Sequence, residues 1–150
     1  MTPEQLRSHP EGKWNAAEVL EHLYLTYTGT IKGCERCLEA GMPQAREVSF
    51  KNRLEQFVVI TCSHMPDGRQ APERTRPTGA AGKHVGHEIA ARIGEMENVL
   101  QRCESRFGGN TRFMNHPVLG PLSVAQWRKF HWVHGWHHVK QIRRLRGMSV

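Results

Sequence analysis

Apolar residues return every three or four positions along most of this chain, the spacing of helices that bury one face. From Asn15 onward, Val19, Leu20, Leu23, Tyr27, Ile31, Cys34 and Leu38 fall on one stripe, with Glu18, Glu21, Lys32, Arg36 and Glu39 opposite. Asn15-Ala-Ala-Glu18 has capping-box spacing: the Asn15 side chain accepts from early backbone N–H groups and Glu18 reaches back, so the helix starts there. Gly41 and Pro43 end it. A second helix is expected over residues 44–62, burying Phe50, Leu54, Phe57 and Val58, although Val58-Val59-Ile60-Thr61 also suits a strand. A third, over residues 84–107, buries Ile89, Ile93, Met96, Leu100 and Cys103 and stops at Gly108-Gly109-Asn110. Ser123-Val-Ala-Gln126, a second capping box, opens the last helix, where Trp127, His131, His134, His138, Ile142 and Leu145 share a stripe.

Between these segments the periodicity lapses. Residues 1–13 read as an irregular lead-in, residues 64–83 as a long loop broken by Pro66, Pro72 and Pro77, and residues 113–122 as a connector. Four helices with no expected strand predict an all-α four-helix bundle. At 150 residues the chain is the size of one domain, taken as residues 1–150.

Composition narrows the function classes. With 38% hydrophobic and 23% charged residues, the chain has enough apolar surface to fold without being a membrane span. Its start, Met1-Thr2-Pro3-Glu4-Gln5, lacks the apolar stretch of a signal peptide, so a cytoplasmic location with four reduced cysteines is expected. The net charge of +7 would suit an acidic partner such as nucleic acid or an anionic small molecule. The basic residues are dispersed, however, and the run from Lys140 through Arg143 and Arg144 to Arg146 faces away from the histidine stripe. It reads as a solvated helix face rather than a nucleic-acid interface.

The strongest chemical signal is the segment from Phe130 to Ile142, which holds four of the ten histidines and two of the four tryptophans. His134 and His138 are four residues apart and therefore lie one above the other on a helix, where two imidazoles can grip one metal ion. His131 shares their stripe; His137 is rotated toward the flank. In the first helix, His22 borders a strip with Thr26, Gly29 and Gly33. Helix-interior glycines cost about 1 kcal/mol each relative to alanine, so this strip asks either for close packing or for room for a ligand. If the first and last helices are neighbours, His22 meets His134 and His138. Three neutral imidazoles would then leave coordination positions open, which is the layout of a catalytic metal site. The rival reading is a buried stripe of imidazoles hydrogen-bonded to their neighbours.

Other candidates are plainer. Cys34 and Cys37 sit on an apolar stripe and read as buried thiols rather than half a zinc site. His84, His87 and Glu88 read as a solvated helix start. Trp132, Trp136 and Val139 form a second apolar patch, suited in order to a subunit interface, a seat for the 64–83 loop, or a stacking platform for bases. No phosphate-binding glycine loop or nucleophile elbow is present.

Trp14-Asn-Ala-Ala-Glu-Val-Leu-Glu-His22-Leu, followed far downstream by His134-Gly-Trp-His-His138-Val-Lys-Gln141-Ile, resembles the DinB/YfiT superfamily of metal-binding helical bundles. The stretch from His116 to Trp127 is similar to the approach to the last helix in one branch of it. The resemblance implies a DinB-like four-helix bundle, paired as a homodimer, with a divalent metal, usually zinc or nickel, on His22, His134 and His138. It also implies a small-molecule substrate and, among the superfamily's activities, thiol S-transfer with a low-molecular-weight thiol. Many members read His-His-Arg-Gly-Gln where this chain has His137-His138-Val139-Lys140-Gln141, which keeps the ligand and leaves the thiol open. Within this reading Glu18 and Gln141 orient the imidazoles, His131 serves as a proton carrier or support, and His137 is dispensable for metal. The alternatives are a non-catalytic metal-dependent sensor or a basic nucleic-acid module using Arg143, Arg144 and Trp136.

Overall fold

The computed structural model describes residues 6, 12–66, 68, 70–79 and 85–147; His84 and most of the lead-in lie outside them. Among the described residues are four α-helices: α1 (Ala16–Ala40), α2 (Phe50–Gln56), α3 (Val85–Phe107) and α4 (Val124–Leu145). The protein is mostly helical, and no described helix is long and apolar enough to cross a membrane.

The termini of α1 and α4 follow from their caps. Asn15 accepts from the Glu18 N–H at 2.9 Å while Glu18 accepts from the Asn15 N–H at 2.8 Å. Ser123 and Gln126 repeat the arrangement at the start of α4. Gly41, at φ 67°, ends α1 in the left-handed region that glycine enters without a Cβ penalty.

Helix α1 runs along α3, and α4 touches both. The apolar stripes meet in one core: Leu23, Tyr27 and Ile31 from α1, Met96 and Leu100 from α3, Trp127, Phe130 and Val133 from α4. Ile93, expected inside, is instead 42% exposed.

The connector over 113–122 is not irregular, and the absence of strands is corrected. Residues Arg112–His116 (β1) and Gly120–Ser123 (β2) form an antiparallel hairpin, with Met114 opposite Leu122 and His116 opposite Gly120. Its signal in the sequence is weak because the strands are short and a bulge falls between Arg112 and Met114. The hairpin plugs the core with Phe113 and Leu122, both fully buried; each such side chain contributes about 1.5–3 kcal/mol. Inside its turn the His116 Nδ1 accepts from the N–H groups of Val118 and Leu119 at 3.1 and 3.0 Å.

The expected second helix is corrected in both length and orientation. It starts at Phe50, capped by Ser49, and after Gln56 widens into a π-helical turn over Phe57–Thr61, where the Cys62 N–H reaches the Phe57 carbonyl. Phe50, Leu54 and Phe57, expected inside, are exposed; Gln56 and Val59 are buried instead. The reason is the hairpin. Gln56 Nε2 donates to the carbonyls of Leu119 and Pro121 at 2.8 and 3.1 Å, satisfying acceptors that an apolar side chain would leave orphaned.

Candidate metal centre

Helix α1 presents His22 and α4 presents His134 and His138 to one buried point, with their potential ligand atoms all within 4.8 Å of one another. His134 Nε2 lies 3.1 Å from His22 Nε2 and 3.1 Å from His138 Nε2. Among the described residues this is the group of His, Cys, Asp and Glu side chains able to hold a metal ion.

The outer nitrogens explain why the inner ones converge. His22 Nδ1 donates to the Thr75 carbonyl at 2.7 Å, and His138 Nδ1 donates to Gln141 Oε1 at 2.9 Å. Each bond places the proton on Nδ1, leaving an Nε2 lone pair aimed inward. His134 Nδ1 has no hydrogen-bond partner. With two lone pairs fixed, a single Nε2–H on His134 is the most the neutral cluster can set between three inward nitrogens.

Protonation does not relieve this. Burial pushes His138 down to about 4, holds His134 well below the ordinary imidazole range, and lowers His22. The charges that neighbouring imidazoles would carry push His134 and His138 further down. Three neutral, inward-facing bases in a buried site are a donor set suited to a divalent cation, and the residues fit one.

The long 64–83 segment takes part in this centre. Thr75, whose carbonyl orients His22, sits in a short 3₁₀ turn, Glu73–Thr75. Just beyond it, Glu21 accepts from the Thr78 N–H and hydroxyl at 3.0 and 2.9 Å and from the Gly79 N–H at 3.1 Å. Glu21 was expected on the solvated side of α1 and is instead 5% exposed, covered by the loop it holds. Sequence reasoning missed both Glu21 and Thr75. Only adjacency to His22 marks the first, and a backbone carbonyl leaves no mark on residue type.

The remaining candidates separate. Gln141 holds His138 as expected; Glu18, also expected to orient an imidazole, accepts from the Asn15 N–H, and the Thr75 carbonyl holds His22 Nδ1. His131 lies one turn from the triad, with Nε2 3.1 Å from the Thr30 hydroxyl, Nδ1 unpartnered, and burial pushing its pKa down to about 3. His137 is half-buried, its ring 5.1 Å from that of His138. Cys34, Cys37 and Cys103 are buried free thiols and Cys62 is exposed.

The strip at Gly29 and Gly33 is not a cleft. A Cβ on Gly33 would strike the Met114 sulfur, so this glycine admits the hairpin, while Gly29 faces open space. The cleft lies on the far side of the triad: an open volume of about 1470 Å³ between α4, the 63–77 segment and Trp14, reaching the centre at His138 and Gln141. Trp132 and Trp136, exposed by 61% and 45%, stand along its wall.

Fold and site together define a mostly helical protein with a buried three-histidine group able to hold a metal ion. Residues 2–145 match the family described as protein of unknown function DUF1569, and the chain belongs to that family. No curated protein and no solved structure matches it.

Proposed function

We propose that this protein is a metal-dependent enzyme of the DinB/YfiT kind, its helices forming that superfamily's four-helix bundle, with His22, His134 and His138 holding a divalent ion, zinc or nickel. The observation that carries the reading is the convergence of three Nε2 atoms whose outer nitrogens are tied, in two of three cases, to Thr75 and Gln141. A structural site would close its shell with a fourth protein ligand, and the described residues bring none. Bound there, the ion would supply an electrophilic centre that lowers the pKa of a thiol or water and yields a nucleophile near neutral pH.

The chain's own residues do the rest. Thr75 and Gln141 fix the imidazole tautomers, and Trp14, with its ring 5.1 Å from that of His22, shields the α1 side from water. The His138 edge opens to the cleft, where a low-molecular-weight thiol would enter. Thiol S-transfer is the reaction this arrangement suits.

Metal analysis of the purified protein, dialysed against zinc or nickel, tests the proposal. One equivalent per chain, with a fall in melting temperature on chelation, is expected. A metal content near zero with unchanged stability under chelation would remove it.

A further inference from the structure

Helix α2 carries its polar face inward and its apolar face outward. At about 100° per residue, Asn52 and Gln56 share one face, and that face is bound to the hairpin: Asn52 Nδ2 donates to the Val118 carbonyl at 3.5 Å, and Gln56 Nε2 donates to those of Leu119 and Pro121. Phe50, Leu54 and Phe57, spaced i, i+4 and i+7, fall within about 60° of one another on the opposite face. They stand 83%, 59% and 56% exposed. Single exposed apolar residues are ordinary, but three aligned on one helix make a patch.

The flanks and the size of the patch decide what covers it. Lys51 and Arg53, both exposed, lie on either side of the apolar row, whereas Glu55, the one acid of α2, lies beyond Lys51 and is half-buried. If two copies paired through this face, parallel or antiparallel, cationic flank would meet cationic flank, which is destabilising. A phenylalanine carries roughly 200 Å² of surface, so the three side chains together expose roughly 300–400 Å². A stable protein interface takes about 800 Å² from each side, about twice what the row offers. An anionic bilayer asks for neither a matching acid nor so large an area. Its headgroups present negative charge around the whole contact, and its acyl boundary accepts apolar side chains without directional bonds.

We propose that the outward face of α2 docks the protein on anionic lipid surfaces, with Phe50, Leu54 and Phe57 entering the boundary between headgroups and acyl chains and Lys51 and Arg53 lying against the lipid phosphates. The contact is peripheral, since a helix of 7 residues lies along a bilayer rather than crossing it. It uses none of the three histidines and stands or falls apart from the metal-centre reading.

Cosedimentation of the purified full chain with unilamellar vesicles tests this, using phosphatidylcholine alone and an equimolar mixture with phosphatidylglycerol. The partition coefficient is expected to be at least about tenfold higher on the anionic vesicles, as two cations at a charged surface require. Phe50→Ser/Leu54→Ser should lower that partition at least about tenfold, with an unchanged melting temperature to report that the variant is folded, both positions being exposed. Lys51→Gln/Arg53→Gln should remove most of the preference for anionic lipid. Lys32→Gln/Arg36→Gln, the same charge change at exposed positions of α1, should leave the partition within about twofold, because charges away from the contact are screened. Absence of binding to either vesicle, or undiminished binding by the Phe50→Ser/Leu54→Ser variant, would overturn the proposal. An equal loss in the Lys32→Gln/Arg36→Gln variant would also overturn it, by reducing the effect to the general attraction of a basic protein. So would light scattering that shows a dimer broken by Phe50→Ser/Leu54→Ser, since the face would then belong to a second copy.

Discussion

The carboxylate of Glu21 accepts from both the backbone N–H and the hydroxyl of Thr78, and so ties down the loop whose Thr75 carbonyl orients the neighbouring His22. Two successive residues of α1 thus hold one loop, one by its backbone N–H groups and one by a carbonyl. Replacing Glu21 with alanine leaves two N–H groups without their acceptor and frees Thr75 to leave His22. Loss of a group that orients a ligand typically lowers metal affinity about 10–100-fold. Zinc competition against a chromophoric chelator should show such a fall for Glu21→Ala. Glu18→Ala, which removes the Glu18 half of the capping box at a cost of about 1 kcal/mol, should leave affinity near wild type. Equal effects from the two variants would show that the loop does not act through His22.

The histidine cluster of α4 should divide by position. His134→Ala or His138→Ala removes an inward Nε2 and should abolish stoichiometric metal, as should His22→Ala. His137 projects into the cleft flank, and His137→Ala should retain one equivalent. Metal content per chain after gel filtration decides this, and loss of metal from the His137 variant with retention in the His134 variant would show that the ligands are misassigned.

Within the centre, the α4 pair was legible because two residues four apart on a helix must share a face. His22 was legible only on the condition that the first and last helices are neighbours, which tertiary packing decides; the resemblance of the α1 and α4 motifs to a known superfamily pointed to the same residue. The contribution of the 64–83 loop was hidden for a different reason. Its link to the site runs through the Thr75 carbonyl, which every residue type carries. Glu21 was hidden because periodicity places it opposite the apolar stripe, and the cover that buries it comes from a segment with no periodicity of its own. The Gly33 anomaly was legible as a demand for space, but its cause, Met114, sits on a strand that alternation could not reveal.

Burial of neutral histidines makes stability fall with acid. His131 is pushed down to about 3 and His138 to about 4, against about 6.5 in the unfolded chain. As pH falls below ~6.5 the unfolded state gains protons that the folded state refuses. The stability these groups contribute is therefore present above that pH and is lost progressively toward pH ~3–4. For His131 alone the loss between pH 7 and 5 is about 2 kcal/mol. Urea unfolding with chelator present should show a declining midpoint over this range, and His131→Gln should shallow the slope by about one proton's worth, whatever it does to the absolute stability. An unchanged slope in that variant would mean that His131 already binds its proton in the folded state.

Helix α2 offers the sharpest test of why its polar face turned inward. Pattern alone places Phe50, Leu54 and Phe57 inside, yet the hairpin turns its Leu119 and Pro121 carbonyls toward α2, and a donor there outweighs an apolar contact. Gln56→Leu keeps a similar volume and adds apolar area, so a purely hydrophobic account expects stabilisation. The hydrogen-bond account expects the reverse, because two buried acceptors lose their partner at about 1–3 kcal/mol each, offset in part by the added apolar burial. A net destabilisation of ~1–3 kcal/mol by urea unfolding is expected. Phe57→Ser, on the exposed side, should change stability by no more than about 0.5 kcal/mol. A stabilised Gln56→Leu, or a Phe57→Ser variant as damaged as a core truncation, would show that the apolar face of α2 is the buried one after all.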